Sequence, residues 1–195
     1  MTISIELIKK LREFSGAGIN DVKEALAEAG GDEEKATVIL KKKGKKIAVK
    51  RSERSTGEGL IESYVHVNGK IGVLVAVICE TDFVARNKEF KDFVHELALQ
   101  VAATDPSYLT PDEIPQEELN KEKEIYRQQL IAEGKLEGKL NQIIEGKLQK
   151  YYSEVCLLKQ LYIKDDKITI EALLENLIAK MGENIKIKQF VRLSL

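Results

Sequence analysis

An α+β fold is predicted by three features of the sequence. Apolar residues recur at helical spacing through residues 1–44, and the segment Ile71–Cys79 is an almost continuous apolar run rich in β-branched residues. A second helical stripe of apolar residues extends through residues 87–103. Helical spacing indicates amphipathic helices, whereas a short apolar run of this kind is typical of a buried strand. We therefore predict an N-terminal domain of three helices, followed by an antiparallel β-sheet core with helices packed on it.

The N-terminal domain is predicted to occupy residues 1–44. Its three helices can be capped by Ser4, Asn20 and Asp32, whose side chains accept hydrogen bonds from free backbone N–H groups. Glycines follow each helix, at positions 16 and 18, at 30 and 31, and at 44. The apolar faces consist of Ile5, Ile8 and Leu11, then Val22, Ala25 and Leu26, then Ala36, Ile39 and Leu40. Helices of this length bury little area, so we expect this domain to be marginally stable by itself.

A basic segment separates this domain from the rest of the chain. Lysine or arginine occupies most positions from 41 to 51. Such a segment can contact RNA or act as a nuclear signal, but this one has no aromatic residue to stack on bases. We therefore predict a solvated helix end that continues into a linker at residues 45–56. Residues 57–195 then form the α+β core.

The core is predicted to begin with a β-hairpin. A strand with mixed alternation covers Leu60–Val67, and Asn68-Gly69 is a strong signal for a two-residue type I′ turn. The chain then returns antiparallel through Ile71–Cys79. Because apolar residues occupy both alternating positions of this return strand, we predict a central strand that is covered on both faces.

The segment that follows this strand is the candidate functional site. Glu80, Thr81 and Asp82 are polar, and Phe83 and Val84 come next, ahead of a helix. A strand fixes the position of the turn that follows it, while the turn leaves a side chain exposed to a partner. The alternative is that the phenylalanine packs under the helix, whose apolar stripe consists of Phe90, Phe93, Val94, Leu97, Ala98 and Val101.

The remaining segments are predicted to be helical until a last strand. Three prolines mark a loop between residues 105 and 115, after which residues 116–133 form a charged helix. A second amphipathic helix carries its apolar residues between Leu140 and Tyr151. A helix at Thr169–Lys180 and a strand at Ile185–Leu193 follow.

Composition and charge argue against several classes of protein. Charged residues make up 32% of the chain and hydrophobic residues 43%, as in ordinary folded soluble domains. The net charge of -1 provides no overall field that would attract nucleic acid or a membrane. Cys79 and Cys156 lie far apart, which favours a reducing compartment over a disulfide framework or a zinc site. With no apolar run of membrane length and no signal peptide, we expect a cytoplasmic protein.

The residues offer no catalytic constellation. His66 lies in a predicted strand and His95 in a predicted helix, where structural or solvated roles are expected. The pair Asp165-Asp166 is flanked by lysines and is explained by a turn. Phosphate-binding, serine-hydrolase and zinc-protease motifs are absent from the sequence. We therefore predict that the protein is not an enzyme and uses no metal ion or cofactor.

Three blocks of sequence resemble the elongation factor Ts family, and together they span nearly the whole chain. The first is Cys79–Asn87, with Thr81-Asp82-Phe83-Val84 at its centre. The second, in the N-terminal domain, comprises Leu11-Arg12, Gly16–Ile19 and Asp21–Leu26. The third comprises Tyr152–Gln160, Ile163–Lys167 and Gly182-Glu183-Asn184. The sequence departs from the family at Leu161, where proline is usual, and at Lys159, where an acidic residue is usual.

The resemblance implies a function and a set of contacts. Members of this family promote release of GDP from elongation factor Tu, and the phenylalanine that matches Phe83 enters the nucleotide-binding domain of that partner. The implied contacts are Thr81, Asp82, Phe83 and Val84. The N-terminal module of the family is similar to a ubiquitin-associated domain and rests on the same partner, which implies contacts at Arg12, Ile19 and Asn20. Short members of the family act as dimers, so a homodimer is implied as well.

Two other classes of function remain open at the level of sequence. The ubiquitin-associated-like domain would suit an adaptor that binds ubiquitin-like proteins, because a fold alone does not determine a function. The basic segment at residues 41–51 would suit an RNA-binding module, whose affinity would fall steeply with salt. Neither the resemblance nor the net charge leads us to expect direct binding to nucleic acid or to a membrane.

Overall fold

The computed structural model describes residues 4–134 and 137–195 and has the predicted α+β architecture. Helices α1 (Ile5–Ser15), α2 (Ile19–Glu28) and α3 (Glu33–Arg51) precede strands β1 (Glu58–Val65) and β2 (Ile71–Cys79). The chain continues through helices α4 (Asp82–Arg86), α5 (Lys88–Thr104), α6 (Gln116–Ala132) and α7 (Glu137–Val155). Strands β3 (Leu161–Tyr162) and β4 (Asp165–Thr169), helix α8 (Ile170–Met181) and strand β5 (Ile185–Ser194) follow.

The main sheet has the strand order β1-β2-β5 and is antiparallel throughout. The predicted apolar strand β2 is therefore central, and helix α5 packs across one side of it. Strands β3 and β4 form a separate small hairpin that was not predicted. Asp165 begins β4, and its side chain accepts a hydrogen bond from the backbone N–H of Lys167 at 3.1 Å.

Within residues 4–134 and 137–195, only one face of the sheet is covered, so the prediction that β2 is covered on both faces is wrong. Val73, Val75, Val77 and Cys79 point to the inner face and are buried with the apolar stripe of α5. The alternate residues point to the outer face, because successive side chains of a strand alternate. The apolar residues of this outer face are Ile61, Val65, Leu74, Ala76, Ile78, Val191 and Leu193. Leu74 at its centre is 51% exposed.

The hairpin between β1 and β2 is confirmed, but its turn is not of type I′. The backbone N–H of Gly69 donates to the carbonyl of His66 at 2.7 Å, which closes a turn at Val67-Asn68. A type I′ turn needs positive φ at both central residues, as predicted for Asn68 and Gly69. Gly69 has a φ of 67°, whereas the only non-glycine residue with positive φ in the described ranges is Asp105. The loop is therefore longer than predicted, and glycine takes its left-handed position.

The three N-terminal helices enclose a small core of their own. Ser4 and Asp32 cap α1 and α3 as predicted, with backbone N–H groups of Glu6 and Lys35 donating to them. Asn20 does not cap α2, because that helix begins at Ile19 and its cap residue is Gly18. The small core consists of Ile8, Leu11, Val22, Ala25, Leu26, Ala36 and Leu40.

Helix α3 continues through the predicted stop at Gly44 and ends at Arg51. Its second half packs along α8, where a Cβ built on Gly44 would lie 3.8 Å from the Cβ of Ala179. Ala48 is buried in the main core. A glycine inside a helix costs about 1 kcal/mol relative to alanine, a cost that burial against α8 offsets. The first part of the predicted linker, residues 45–51, is therefore helical and packed; the division into domains at 1–44, 45–56 and 57–195 stays a prediction.

Helices α6 and α7 form a charged antiparallel pair with a narrow apolar seam. The seam consists of Leu130, Leu140, Ile144 and Leu148. Glu118 near the base of the pair accepts hydrogen bonds from the hydroxyl groups of Tyr108 and Tyr151, at 2.7 and 2.6 Å. In the two ranges that the structure describes, no helix combines the length and the apolar character needed to cross a membrane.

Candidate functional site

The candidate site is built on the short helix α4, directly after the central strand. Cys79 ends β2, and Thr81 begins α4 as its cap residue. The hydroxyl oxygen of Thr81 accepts a hydrogen bond from the backbone N–H of Val84 at 3.4 Å. The thiol of Cys79 donates to the carbonyl of Thr81 at 3.2 Å. The position of the site is therefore fixed by β2, the central and well-buried strand of the sheet.

Two consecutive residues anchor α4 to the core. Val84 is 4% exposed and Ala85 is 9% exposed, and both belong to the main apolar cluster. The side chain of Val84 is therefore directed into the protein, and its implied role as a contact for a partner stays a prediction. Its burial is what orients the residue before it, because adjacent side chains of a helix point about 100° apart.

Phe83 is exposed, as the position after the strand predicts. Its side chain is 79% exposed, one of the highest values among the large hydrophobic residues of the described ranges. This exposure excludes the alternative that Phe83 packs under the following helix, whose own Phe90 and Phe93 are buried in the core. A large aromatic ring held out by a rigid support suits insertion into a pocket of another protein.

Asp82 lies beside Phe83 and pairs within α4. The carboxylate of Asp82 lies 3.1 Å from the guanidinium of Arg86, one turn further along the helix. Both side chains are exposed, so the pair contributes at most about 0.5 kcal/mol to stability. The negative charge also lies in the first turn of the helix, where it is favourable. Asp82 therefore helps to hold the turn, and it stays accessible from solution.

The loop after helix α8 lies against the site, a contact that sequence reasoning did not predict. Both carboxylate oxygens of Glu183 accept hydrogen bonds from Thr81. Burial raises the pKa of the Cys79 thiol, and the nearby charge of Glu183 raises that pKa further. The match of Gly182-Glu183-Asn184 to the family was the available signal, but it could not indicate which residues the loop touches.

The three residues implied for the N-terminal domain are exposed. Arg12 lies in the last turn of α1, and Ile19 and Asn20 begin α2, so they flank the loop at residues 16–18. Phe14, which also lies in the last turn of α1, is 64% exposed. It lines a groove of about 720 Å³ between the N-terminal helices and α5, β4 and α8. The structure thus gives two separate sets of exposed residues, one in each part of the chain.

The histidines and acidic residues form structural pairs. The hydroxyl of Tyr64 lies 2.9 Å from Nδ1 of His66, and Nδ1 of His95 lies 3.1 Å from the carboxylate of Glu62. Among the residues that the structure describes, no group of His, Cys, Asp and Glu side chains is arranged to hold a metal ion. The candidate site thus consists of an exposed ring on a buried support.

Comparison with known proteins identifies the family. The family model described as "Elongation factor TS" matches residues 5–195. The chain is 53% identical over 195 residues to an elongation factor Ts from Syntrophus aciditrophicus (strain SB), covering 100% of this chain and 97% of the relative. It is 54% identical over 192 residues to the elongation factor Ts of Thermotoga petrophila (strain ATCC BAA-488 / DSM 13995 / JCM 10881 / RKU-1), covering 98% and 96%. The chain therefore belongs to the elongation factor Ts family of translation elongation factors.

Proposed function

We propose that this protein promotes the release of GDP from elongation factor Tu in the cytoplasm, so that GTP can replace it. The exposed ring of Phe83, on a helix anchored by Val84 and Ala85, is the observation that carries this proposal. The family membership supports the choice of partner. The process changes no covalent bond, so it requires neither a nucleophile nor a metal ligand from this chain.

The proposed mechanism is a displacement at the magnesium and phosphate site of the partner. Mg²⁺ requires near-ideal octahedral geometry, so a small movement of its surroundings weakens its binding sharply. Phe83 enters the nucleotide-binding domain, and Thr81 and Asp82 lie at the base of the inserted helix. The coupling is reciprocal: the factor lowers the affinity for GDP as much as GDP lowers the affinity for the factor.

The energy required exceeds what one ring supplies. A ten-thousandfold weakening of GDP binding needs about 5.5 kcal/mol of differential binding. Burying one phenylalanine side chain contributes about 2–3 kcal/mol. The N-terminal domain supplies further contacts in our proposal, through Arg12, Ile19 and Asn20, all of which are exposed. The helical packing of α3 on α8 supports this, because it holds the N-terminal helices in a fixed position relative to the sheet.

We also propose that the protein acts as a homodimer, in which the outer face of the sheet is the interface. This face carries a row of exposed apolar side chains, including Ile61, Leu74 and Leu193. Two sheets that pack face to face bury such residues in a layer about 10 Å thick. A two-fold axis through the face would make it self-complementary. Light scattering during size exclusion tests this: a mass near the 21.9 kDa of one chain at micromolar concentration contradicts the dimer.

The exchange activity is tested by stopped-flow release of fluorescent GDP from elongation factor Tu. The unmodified chain is expected to accelerate release, and Phe83→Ala to lower the maximal rate about thirtyfold or more, equivalent to ~2 kcal/mol. Val67→Ala is the matched control, since Val67 is 96% exposed in the turn before β2. The nine residues of β2 separate the two sites by about 30 Å. Equal loss in both variants, or none in Phe83→Ala, would contradict the proposal.

The same assay separates the two other classes of function. An adaptor for ubiquitin-like proteins would bind ubiquitin through its N-terminal helices and leave GDP release unchanged. An RNA-binding module would bind RNA with an affinity that falls steeply with salt. The observation that favours an RNA-binding module is the set of exposed lysines on α3.

A further inference from the structure

The residue that begins α4 is held by a carboxylate from a distant part of the chain. Oε2 of Glu183 accepts a hydrogen bond from the backbone N–H of Thr81 at 3.0 Å, and Oε1 accepts one from its hydroxyl at 2.6 Å. Both donors of one residue are thus bound by both oxygens of one carboxylate. Hydrogen bonds to an ionised carboxylate are about twice as strong as those between neutral groups. Glu183 therefore supports the start of α4 more firmly than a neutral side chain would.

The carboxylate also determines the direction of the Thr81 hydroxyl. An ionised carboxylate only accepts hydrogen bonds, so the hydroxyl is the donor in its hydrogen bond with Glu183. The lone pairs of the hydroxyl oxygen then remain available to the backbone N–H of Val84. A helix of five residues cannot sustain itself through internal hydrogen bonds alone, and its cap is correspondingly important. Glu183 thereby acts on the helix that displays Phe83 without touching the ring.

A second carboxylate, on the residue before Thr81, accepts a hydrogen bond from the loop that carries Glu183. Oε1 of Glu80 accepts a hydrogen bond from the backbone N–H of Asn184 at 2.6 Å. The side chain of Asn184 donates to the carbonyls of Ser52 and Arg54, beyond the end of α3, at 3.3 and 2.7 Å. Asn184 is 1% exposed. The loop at residues 182–184 therefore connects the displayed helix to the N-terminal helices.

We propose that Glu183 is a positioning residue for nucleotide exchange, which holds α4 so that Phe83 is ready to insert when the partner docks. The inference rests on the proposed function, because it assigns a role within the same site. Pre-organisation of this kind lowers the free energy needed to order the turn during insertion. Its loss should slow the step in which the ring enters, rather than the docking that precedes it.

The decisive variant is Glu183→Gln, which preserves size and removes the charge. An amide is neutral and has one acceptor oxygen, so when that oxygen accepts from the Thr81 backbone N–H, its NH₂ group faces the hydroxyl, which must then accept instead of donating. Both charge-assisted hydrogen bonds are lost. The matched control is Glu96→Gln. Glu96 also accepts two hydrogen bonds across a long sequence separation, from the Tyr162 hydroxyl at 2.8 Å and the Lys164 ammonium at 2.6 Å. It lies on α5 and makes no hydrogen bond to α4 among the contacts of the described residues.

The kinetic test measures GDP release from a fixed amount of elongation factor Tu at increasing excess of each variant. Glu183→Gln is expected to lower the maximal release rate about tenfold, with little change in the half-saturating concentration. A loss of folded protein would instead raise the half-saturating concentration and leave the maximal rate unchanged. Glu96→Gln is expected to keep the maximal rate. An unchanged maximal rate for Glu183→Gln overturns the proposal.

Hydrogen exchange of the free protein provides a readout that does not depend on the partner. In Glu183→Gln, the amides of Thr81 and Val84 are expected to exchange about tenfold faster, while that of Val75 in the centre of β2 is unchanged. Unchanged exchange at Thr81 and Val84 overturns the positioning role. If the unmodified chain fails to release GDP while these two amides still respond, the proposed function fails and the local support by Glu183 stands.

Discussion

The two faces of the main sheet carry similar apolar residues but differ in how far those residues are buried. On the inner face, Val73, Val75 and Val77 are buried beneath α5. On the outer face, Leu74 lies between two of those valines in the sequence and is half exposed, with Val191 beside it on β5. The residue types do not explain the difference, because both faces are apolar. What differs is the element opposite: the chain supplies a helix for one face and, in the residues described, none for the other.

The two faces of one sheet can therefore contribute to different processes, the inner face to folding and the outer face to association. The inner face contributes to the free energy of folding of one chain, since its area is removed from water on folding. The outer face can contribute only when a second surface covers it. Substitutions on the two faces should therefore be distinguishable by whether their effect depends on protein concentration.

The largest effect is expected where α5 covers the inner face. Phe90 is 0% exposed, and Phe90→Ala should lower the free energy of unfolding by about 3–5 kcal/mol, through lost transfer energy and a cavity. Phe83→Ala is the matched substitution outside the core and should cost under about 0.5 kcal/mol, because its ring is already in solvent. Urea unfolding followed by circular dichroism measures both. Similar losses for the two variants would mean that Phe83 packs in solution.

A smaller effect should separate two neighbouring residues of β2. Val75→Ala removes buried methyl groups and should cost about 2 kcal/mol at any protein concentration. Leu74→Asp should cost little in dilute solution, but it should abolish the rise of the melting temperature with concentration that a dimer produces. Melting curves over a hundredfold range of concentration, about 1–100 μM, test this. A melting temperature of the unmodified chain that does not change with concentration would remove the outer face from the dimer proposal.

The smallest effect concerns the thiols and appears only at high pH. Burial raises the pKa of Cys156 to about 11 from its ordinary 9.0, and burial also raises the pKa of Cys79 on the inner face. A raised pKa in the folded state means that the contribution to stability is complete below pH 9 and declines as the pH approaches 11. Unfolding in urea at pH 8 and pH 10 should show this decline.

The reactivity of the thiols gives a second measure of the same burial. At pH 8 both cysteines should react with iodoacetamide at least about a hundredfold more slowly in the folded protein than in urea, because each is fully buried and protonated. A Cys156→Ala variant isolates Cys79 as a reporter of the inner face. Rapid labelling of Cys79 in that variant would indicate that the sheet opens readily under α5.

Local signals in the sequence predicted most of the helices and strands. The cap residues Ser4 and Asp32 are confirmed, as are the hairpin and the exposure of Phe83. These features depend on residues within a few positions of one another. The errors arose where a local signal did not decide the structure. Gly44 is a local stop signal that packing against α8 overrides, and Asn20 is a local cap signal that lies inside its helix.

The sequence by itself determined the α+β class, the order of helices and strands, and the turn that carries Phe83, because periodicity and capping act over one or two turns of chain. The tertiary structure alone decided that Val84 is buried, that one face of the sheet is open, and that Glu183 binds Thr81 across 102 residues. Each of these depends on which distant segments pack together. The free energy that selects such a packing comes from the area that all of the segments bury jointly, and no single stretch of residues contains it.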